Sequence, residues 1–326
     1  MRTYASTVLA LVIALILIAS AMNLASIRAY AHTFKTDENV DFLTMVQIIK
    51  VETSLAGENA SDSDTASHHI EHASEALTNS TLEEIAEKNQ RIATDLPASI
   101  ENLGAAIDSS ADSDTISQNV QEVSNLLDEA AQVRIEQAQR NNSTVQAFVV
   151  ANLVDEALEH YGEAVGFEGN MTDMSNMNMS DSSMSGMQAG NESSSQGMTG
   201  NDTMMSSQSI EEDNETAKVV SLPNYQSAKA FAEKAQELYQ EIKPEALAGT
   251  ENAITSLDAA FPEFVNAIDA KASAMDMMEI GHLRIHPNLM TAYNLQVIPE
   301  FPIPLLLTLP ALASAILYGR LKGKRG

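Results

Sequence analysis

Seven histidines punctuate the sequence, and four of them fall in two pairs spaced four residues apart. His68 and His72 lie in "SHHIEH", and His282 and His286 in "HLRIH". On a helix, residues i and i+4 share a face with Cβ atoms about 5–6 Å apart, so each pair can grip one metal ion through imidazole nitrogens. Imidazole suits copper, zinc, iron and nickel. Glu71 and Glu75 stand beside the first pair, and Glu279, three residues before His282, adds a carboxylate to the face of the second. A Glu-x-x-His unit of this kind recurs in carboxylate-bridged di-iron bundles. The same spacing also arises from polar residues on solvated helix faces or near caps, and Pro287 puts the second pair at a helix end. His69 is turned from His68 by about a third of a turn and is expected to be exposed. His160, in "DEALEHYGEA", is expected as a cation near a carboxylate-rich helix end.

A second set of ligand types is soft. Nine methionines fall between Met171 and Met205, and Met171, Met174, Met177, Met179, Met184 and Met187 open the run in Met-x-x-Met and Met-x-Met spacings. Thioethers are neutral and favour Cu(I). The stretch resembles the methionine-rich segments of extracytoplasmic copper-handling proteins, which implies copper as the cargo. Two other readings are a plain linker and a sacrificial buffer in which oxidants form sulfoxides. Met275 and Met278, in "MDMM", follow a helical pattern and are expected in a core.

These ligands sit on two helical regions separated by a biased tract. Over 32–167 apolar residues recur at helical spacing: Phe42, Met45, Val46, Ile49 and Leu55 share one side of "FLTMVQIIKVETSL". "EEIAEKNQRIATDL" and "ISQNVQEVSNLLDEAAQVRI" repeat the pattern, each entered from capping residues. "STVQAFVVANLVDEALEHYGEAV" is apolar enough to be a central helix. Residues 168–217 lose periodicity and are rich in Gly, Ser, Asn, Asp and Met. Such a tract buries too little to offset backbone ordering at roughly 1–2 kcal/mol per residue, so it is predicted disordered. Helical pattern resumes over 218–298 in "YQSAKAFAEKAQELYQEI", breaks at Pro244, and continues in "ENAITSLDAAF" and "EFVNAIDAKASAMDMMEIGHLRIH". This region is small for a separate domain and is expected to complete the first bundle. Alternating runs and hairpin turns are missing, so the fold class is all-α.

The ends speak of a membrane. Residues 1–31 carry Arg2, an apolar run and Ala29-Tyr30-Ala31, which reads as a secretory signal cleaved before His32. His32 would then be the mature N-terminus, its amine and ring together a copper chelate. Residues 299–326 place Pro-Glu-Phe before an apolar span and then Arg320, Lys322, Lys324 and Arg325. That is a transmembrane helix with a cytoplasmic basic tail. The tail resembles the Pro-Glu-Phe sorting signals of archaeal surface proteins, most like the variety in ammonia-oxidising archaea, although Pro302 stands where that pattern has glycine. The resemblance implies surface anchoring and a sortase-type processing enzyme as partner. The remainder is similar to an uncharacterised group of such surface proteins, which implies no activity.

Composition narrows the function classes. Of 18 basic residues, Arg2, Arg28 and the four in the tail lie outside 32–298, leaving 12 there against 44 of the 45 acidic residues. That acidity excludes nucleic acid as a partner and disfavours docking on anionic lipid. Without cysteine there is no disulfide framework and no thiolate chemistry. Nine Asn-x-Ser/Thr sequons are candidate glycosylation sites on a secreted chain. No nucleophile motif, phosphate loop, His-Glu-x-x-His or calcium loop is present, so the chain is not read as an enzyme.

Three functions remain. In the first, a surface-anchored helical protein buffers copper, with His68, His72, His282 and His286 taking Cu(II) and the methionines Cu(I); zinc is a further candidate ion. In the second, the bundle is a glycosylated spacer. In the third, His68-x-x-Glu71 and His72-x-x-Glu75 resemble a motif of imelysin-like iron-uptake bundles, which would put iron at the pairs.

Overall fold

The structure is a computed structural model, and it describes residues 38–172 and 216–295. The signal, the sorting tail, His32 and all tract methionines except Met171 lie outside the described residues. Among the described residues there is no strand, and no helix is long and apolar enough to cross a membrane.

The chain folds as α1 (Glu38–Glu58), α2 (Ser63–Ala76), α3 (Asn79–Lys88), α4 (Gln90–Asp108), α5 (Ser113–Arg134), the short α6 (Gln137–Arg140) and α7 (Ser143–Val165). After the tract come α8 (Leu222–Ile242), α9 (Glu251–Asp269), α10 (Ala274–Met278), a π-helical turn (Glu279–Ile285) and α11 (His286–Tyr293). Helix starts follow their capping residues. Asp62 accepts from Thr65 N, Asp112 from Thr115 N, and Asn142 from Thr144 N and Val145 N. Such side chains satisfy backbone donors that the first turn leaves unpaired.

α7 buries most of its circumference, from Val145 through Val150, Leu153, Val154, Ala157 and Leu158 to Tyr161, and leaves a polar stripe of Asn152, Asp155, Glu156, Glu159 and Glu163. A helix with so wide an apolar face packs against several neighbours. Here it lies along α8 and also touches α1, α10, the π turn and α11. Gly166 ends it in a left-handed conformation (φ 68°), with Phe167 N donating to Gly162 O at 2.8 Å. One hydrophobic core joins Ile49 of α1, Ile92 of α4, Leu127 of α5, Leu158 of α7, Phe231 of α8 and Phe264 of α9. The second region therefore completes the first bundle, as its length implies.

Local details depart from the periodicity. The stretch 83–96 is two helices, because Asn89 leaves the α region to cap α4. Pro262 does not separate two helices but sits inside α9, whose break comes later, at Ala270–Ser273. Met275 is 48% exposed, whereas Met277 and Met278 are buried. The tract is narrower than its composition suggests. Met171 is 1% exposed, and its sulfur packs so close to Gly162 that a Cβ there would stand 2.9 Å from it. At the other root, Ala217 N donates to Lys271 O at 2.8 Å and Val220 N to Ala164 O at 2.7 Å.

Candidate metal centres

Two clusters of metal-binding side chains form, and α7 contributes to both. In the first, Glu52 of α1, His72 of α2 and His160 of α7 each present a ligand atom, all within 4.8 Å of one another. In the second, Asp155 of α7 meets His282 of the π turn and His286 of α11 within the same limit. The two histidine pairs do not combine into a single centre.

The first cluster is built on apolar stripes. Glu52 follows Ile49 by three residues and precedes Ala56 by four, which points it into the core, where it is 0% exposed. On α2 the inward face is Thr65, Ala66, His69 and Ala73. His69, expected at the surface, is 0% exposed because it shares that face. Its Nδ1 lies 2.7 Å from Glu52 Oε2, and its Nε2 lies 3.1 Å from Gln226 Oε1. Gln226 in turn donates to Asn59 Oδ1 at 3.0 Å. One carboxylate oxygen of Glu52 is thus held by His69, while Oε1 faces His72 Nδ1 at 3.7 Å, beyond hydrogen-bond length. Glu52 Oε1, His72 Nδ1 and His160 Nδ1 are buried with no hydrogen-bond partner. Unpartnered buried polar atoms are rare because each forfeits its hydration, about 1–3 kcal/mol per group.

His68 and His72 are not gathered as the expected chelating pair. Their rings lie 4.2 Å apart, yet His68 Nε2 donates to Asn224 Oδ1 at 2.9 Å. Asn224 Nδ2 then donates to Glu163 Oε2 at 2.9 Å. His72 turns instead toward His160, with ring centroids 5.0 Å apart. Glu71 and Glu75 are exposed, so the carboxylate at this centre is Glu52 from another helix.

The electrostatics sort these groups. Burial alone would raise the Glu52 pKa, but contacts with His69, His72 and Ser227 outweigh it and bring it to about 2. The Glu52 carboxylate raises His72 against the opposing effect of burial. His160 is pushed down to about 4 by burial. It is therefore a neutral imidazole at pH 7, not the cation expected of a helix end, and neutral imidazole is the metal-binding form.

The second cluster hangs on an irregular turn. π-turns inside helices occur frequently at functional sites. Gly281 lets this one press against α7, since a Cβ on it would come within 2.9 Å of Leu158 Cδ1. His282 Nε2 donates to the carbonyl oxygen of Met171 at 2.8 Å. His282 Nδ1 and His286 Nδ1 face each other at 3.4 Å, and His286 Nε2 lies 3.5 Å from Asp155 Oδ1. Glu279, expected as a ligand, is exposed and outside the cluster. Met171, expected to offer its thioether, contributes its backbone carbonyl, while its sulfur packs on Gly162.

Between the centres runs a line of α7 carboxylates. Burial raises Asp155 to about 7 against the pull of His282. Burial, then the neighbouring Glu159 and Asp155, raises Glu156 to about 7. Glu159 is raised by burial and by Glu163.

Periodicity held a signal for the residues it missed. Glu52 occupies an apolar stripe, and "VDEALEHYGEA" sets Asp155, Glu156 and His160 among the buried Val154, Ala157, Leu158 and Tyr161. Charged groups so placed are seldom structural. Compared with known proteins, the chain matches no family model, no curated protein and no solved structure.

Proposed function

We propose that this protein is a cell-surface helical bundle that binds and buffers transition-metal ions, copper foremost, outside the cell. The observation that carries the reading is the convergence of Glu52, His72 and His160, whose buried Oε1, Nδ1 and Nδ1 atoms lack hydrogen-bond partners. A cation would satisfy all three at once. Imidazole and carboxylate donors hold divalent first-row ions, and Cu(II) stands at the top of the affinity order for such sites. In this reading the tract methionines from Met174 onward take Cu(I). Anchoring by the Pro-Glu-Phe tail, with processing by a sortase-type enzyme, belongs to the same proposal, as does a binding rather than catalytic role.

Iron is the second reading, favoured by one observation. Two histidines and one carboxylate are also the donor set of non-haem Fe(II) centres with open positions.

The test is competition titration of the full-length chain with Cu(II), Fe(II) and Cu(I), beside Glu52→Gln, His160→Gln and a deletion of 173–215. Stoichiometric Cu(II) binding weakened at least tenfold by either substitution supports the copper centre, and preferential Fe(II) binding supports the iron one. Loss of Cu(I) binding in the deletion supports the methionine role. Binding no better than that of a generic acidic protein leaves a surface spacer.

A further inference from the structure

The carbonyl oxygen of Leu55 can only accept, and that assigns each polar group in a chain leading back to Glu52. Asn59 Nδ2 donates to Leu55 O at 2.8 Å, which makes Asn59 Oδ1 the acceptor on the other side of the amide. Gln226 Nε2 donates to Asn59 Oδ1 at 3.0 Å, which leaves Gln226 Oε1 to accept from His69 Nε2 at 3.1 Å. His69 therefore carries a proton on Nε2. Its Nδ1 meets Glu52 Oε2 at 2.7 Å, the length of a charge-assisted bond, and Ser227 Oγ stands 3.4 Å from the same nitrogen.

The two oxygens of Glu52 are thus in different circumstances. Oε2 is held by His69, and turning the carboxylate would break that bond. Oε1 is buried with no hydrogen-bond partner, as are His72 Nδ1 and His160 Nδ1. A buried ion pair serving stability alone would account for Oε2 but would leave these three atoms unsatisfied. The chain also crosses the molecule: Asn59 follows α1, His69 is in α2, and Gln226 and Ser227 are in the first turns of α8, beyond the methionine tract.

We infer that His69 is a positioning residue of the first centre, holding Glu52 Oε2 so that Oε1 is the oxygen presented to an ion shared with His72 and His160. His69 does not itself touch the ion; Gln226 and Asn59 hold it in turn. This rests on the metal-binding reading above and adds the groups that orient its carboxylate. Hydrogen bonds to a ligating carboxylate fix its orientation, and losing such a partner typically costs about 10–100-fold in metal affinity.

The test uses the full-length chain with Cu(II) as the probe, reading affinity by competition and the ligand field by electron paramagnetic resonance. His69→Leu should weaken Cu(II) binding about 10–100-fold and alter the spectrum of the bound ion. His69→Gln, which keeps an N–H for Oε2, should recover most of the affinity and the original spectrum. Gln226→Leu, one bond farther out, should shift both readouts in the direction of His69→Leu by a smaller amount. Leu127→Ala, a truncation of the core in α5, should lower the melting temperature and move neither readout. If His69→Leu fails to fold, as loss of the contact to a buried carboxylate could cause, Gln226→Leu decides. Affinity and spectrum unchanged in folded His69→Leu, or in Gln226→Leu where that variant decides, overturn the positioning role while leaving metal binding standing. Failure of the unsubstituted chain to bind Cu(II), or binding that His160→Gln does not weaken, overturns the first centre and this inference together.

Discussion

His282 Nε2 donates to the carbonyl oxygen of Met171, 111 residues earlier in the chain, at 2.8 Å. The bond joins the π turn to the start of the methionine tract, and it fixes the tautomer of a candidate ligand. It also places Met171 in the core, its sulfur packed on Gly162. Met171→Ala should therefore cost about 2–5 kcal/mol of stability, the range for a buried methionine truncated to alanine. Urea denaturation with chelator present measures this. A loss under about 0.5 kcal/mol, typical of surface positions, would remove Met171 from the core.

Gly281 offers a way to disturb the second centre without touching a ligand. In Gly281→Ala the new methyl would meet Leu158 Cδ1 at 2.9 Å and Val154 Cγ1 at 3.5 Å. Overpacking of this kind costs about 1–3 kcal/mol, and relief by lifting the π turn separates His282 from Met171. The expected result is a folded protein with divalent-ion affinity at the second cluster reduced at least tenfold and the first cluster intact. Isothermal titration on the variant, beside circular dichroism, reads both.

Metal loading should stabilise the fold. An ion that binds only the native state adds about 2.7 kcal/mol at a free concentration one hundred times its Kd. Thermal melting with Cu(II) should show this increment in the unsubstituted chain and lose most of it in His160→Gln. An increment unchanged in that variant would locate the ion elsewhere.

The carboxylates of α7 give the apo protein a signed pH response. Glu156 is raised from 4.5 to about 7 in the folded state, so between those values the native protein holds a proton that the unfolded chain has released. Stability then falls as pH rises through that window and is flat above it. Asp155, raised from 3.8 to about 7, acts in the same direction. His160 opposes them: lowered from 6.5 to about 4, it makes the native state more stable as pH rises from about 4 to 6.5. Glu52, lowered to about 2, adds stability that is lost only below its unfolded value of 4.5. Relative to the unsubstituted chain, Glu156→Gln should gain stability from pH 4.5 to 7, and His160→Gln should lose it from pH 4 to 6.5. Urea midpoints across pH 4–8 with chelator present check both slopes, and parallel curves would contradict them.

Much of the architecture was legible before any coordinates. The stretch 143–165 is one helix, Ser143–Val165, because Asn142 caps it, Gly166 closes it and its apolar residues cover most of its circumference. The apolar side of 42–55 is buried as its spacing requires. Pro262, which falls between the stretches "ENAITSLDAAF" and "EFVNAIDAKASAMDMMEIGHLRIH", loses one backbone bond without ending α9, whose Phe261 and Phe264 are both buried in the core. The His-x-x-x-His spacing picked out His72, His282 and His286, which the fold gathers into clusters, and His68 and Glu279, which it leaves outside them.

From the sequence alone follow an all-α bundle, its central helix, its acidity and the histidines worth inspecting, because these depend on helical periodicity and side-chain chemistry, which are local. Only the tertiary structure decided which groups from other helices join the histidines: Glu52 and His160 around His72, and Asp155 beside His282 and His286. The physical reason is that a buried polar cluster is defined by which helix faces meet. That depends on packing between segments more than 100 residues apart, such as Glu52 with His160, which no local spacing records.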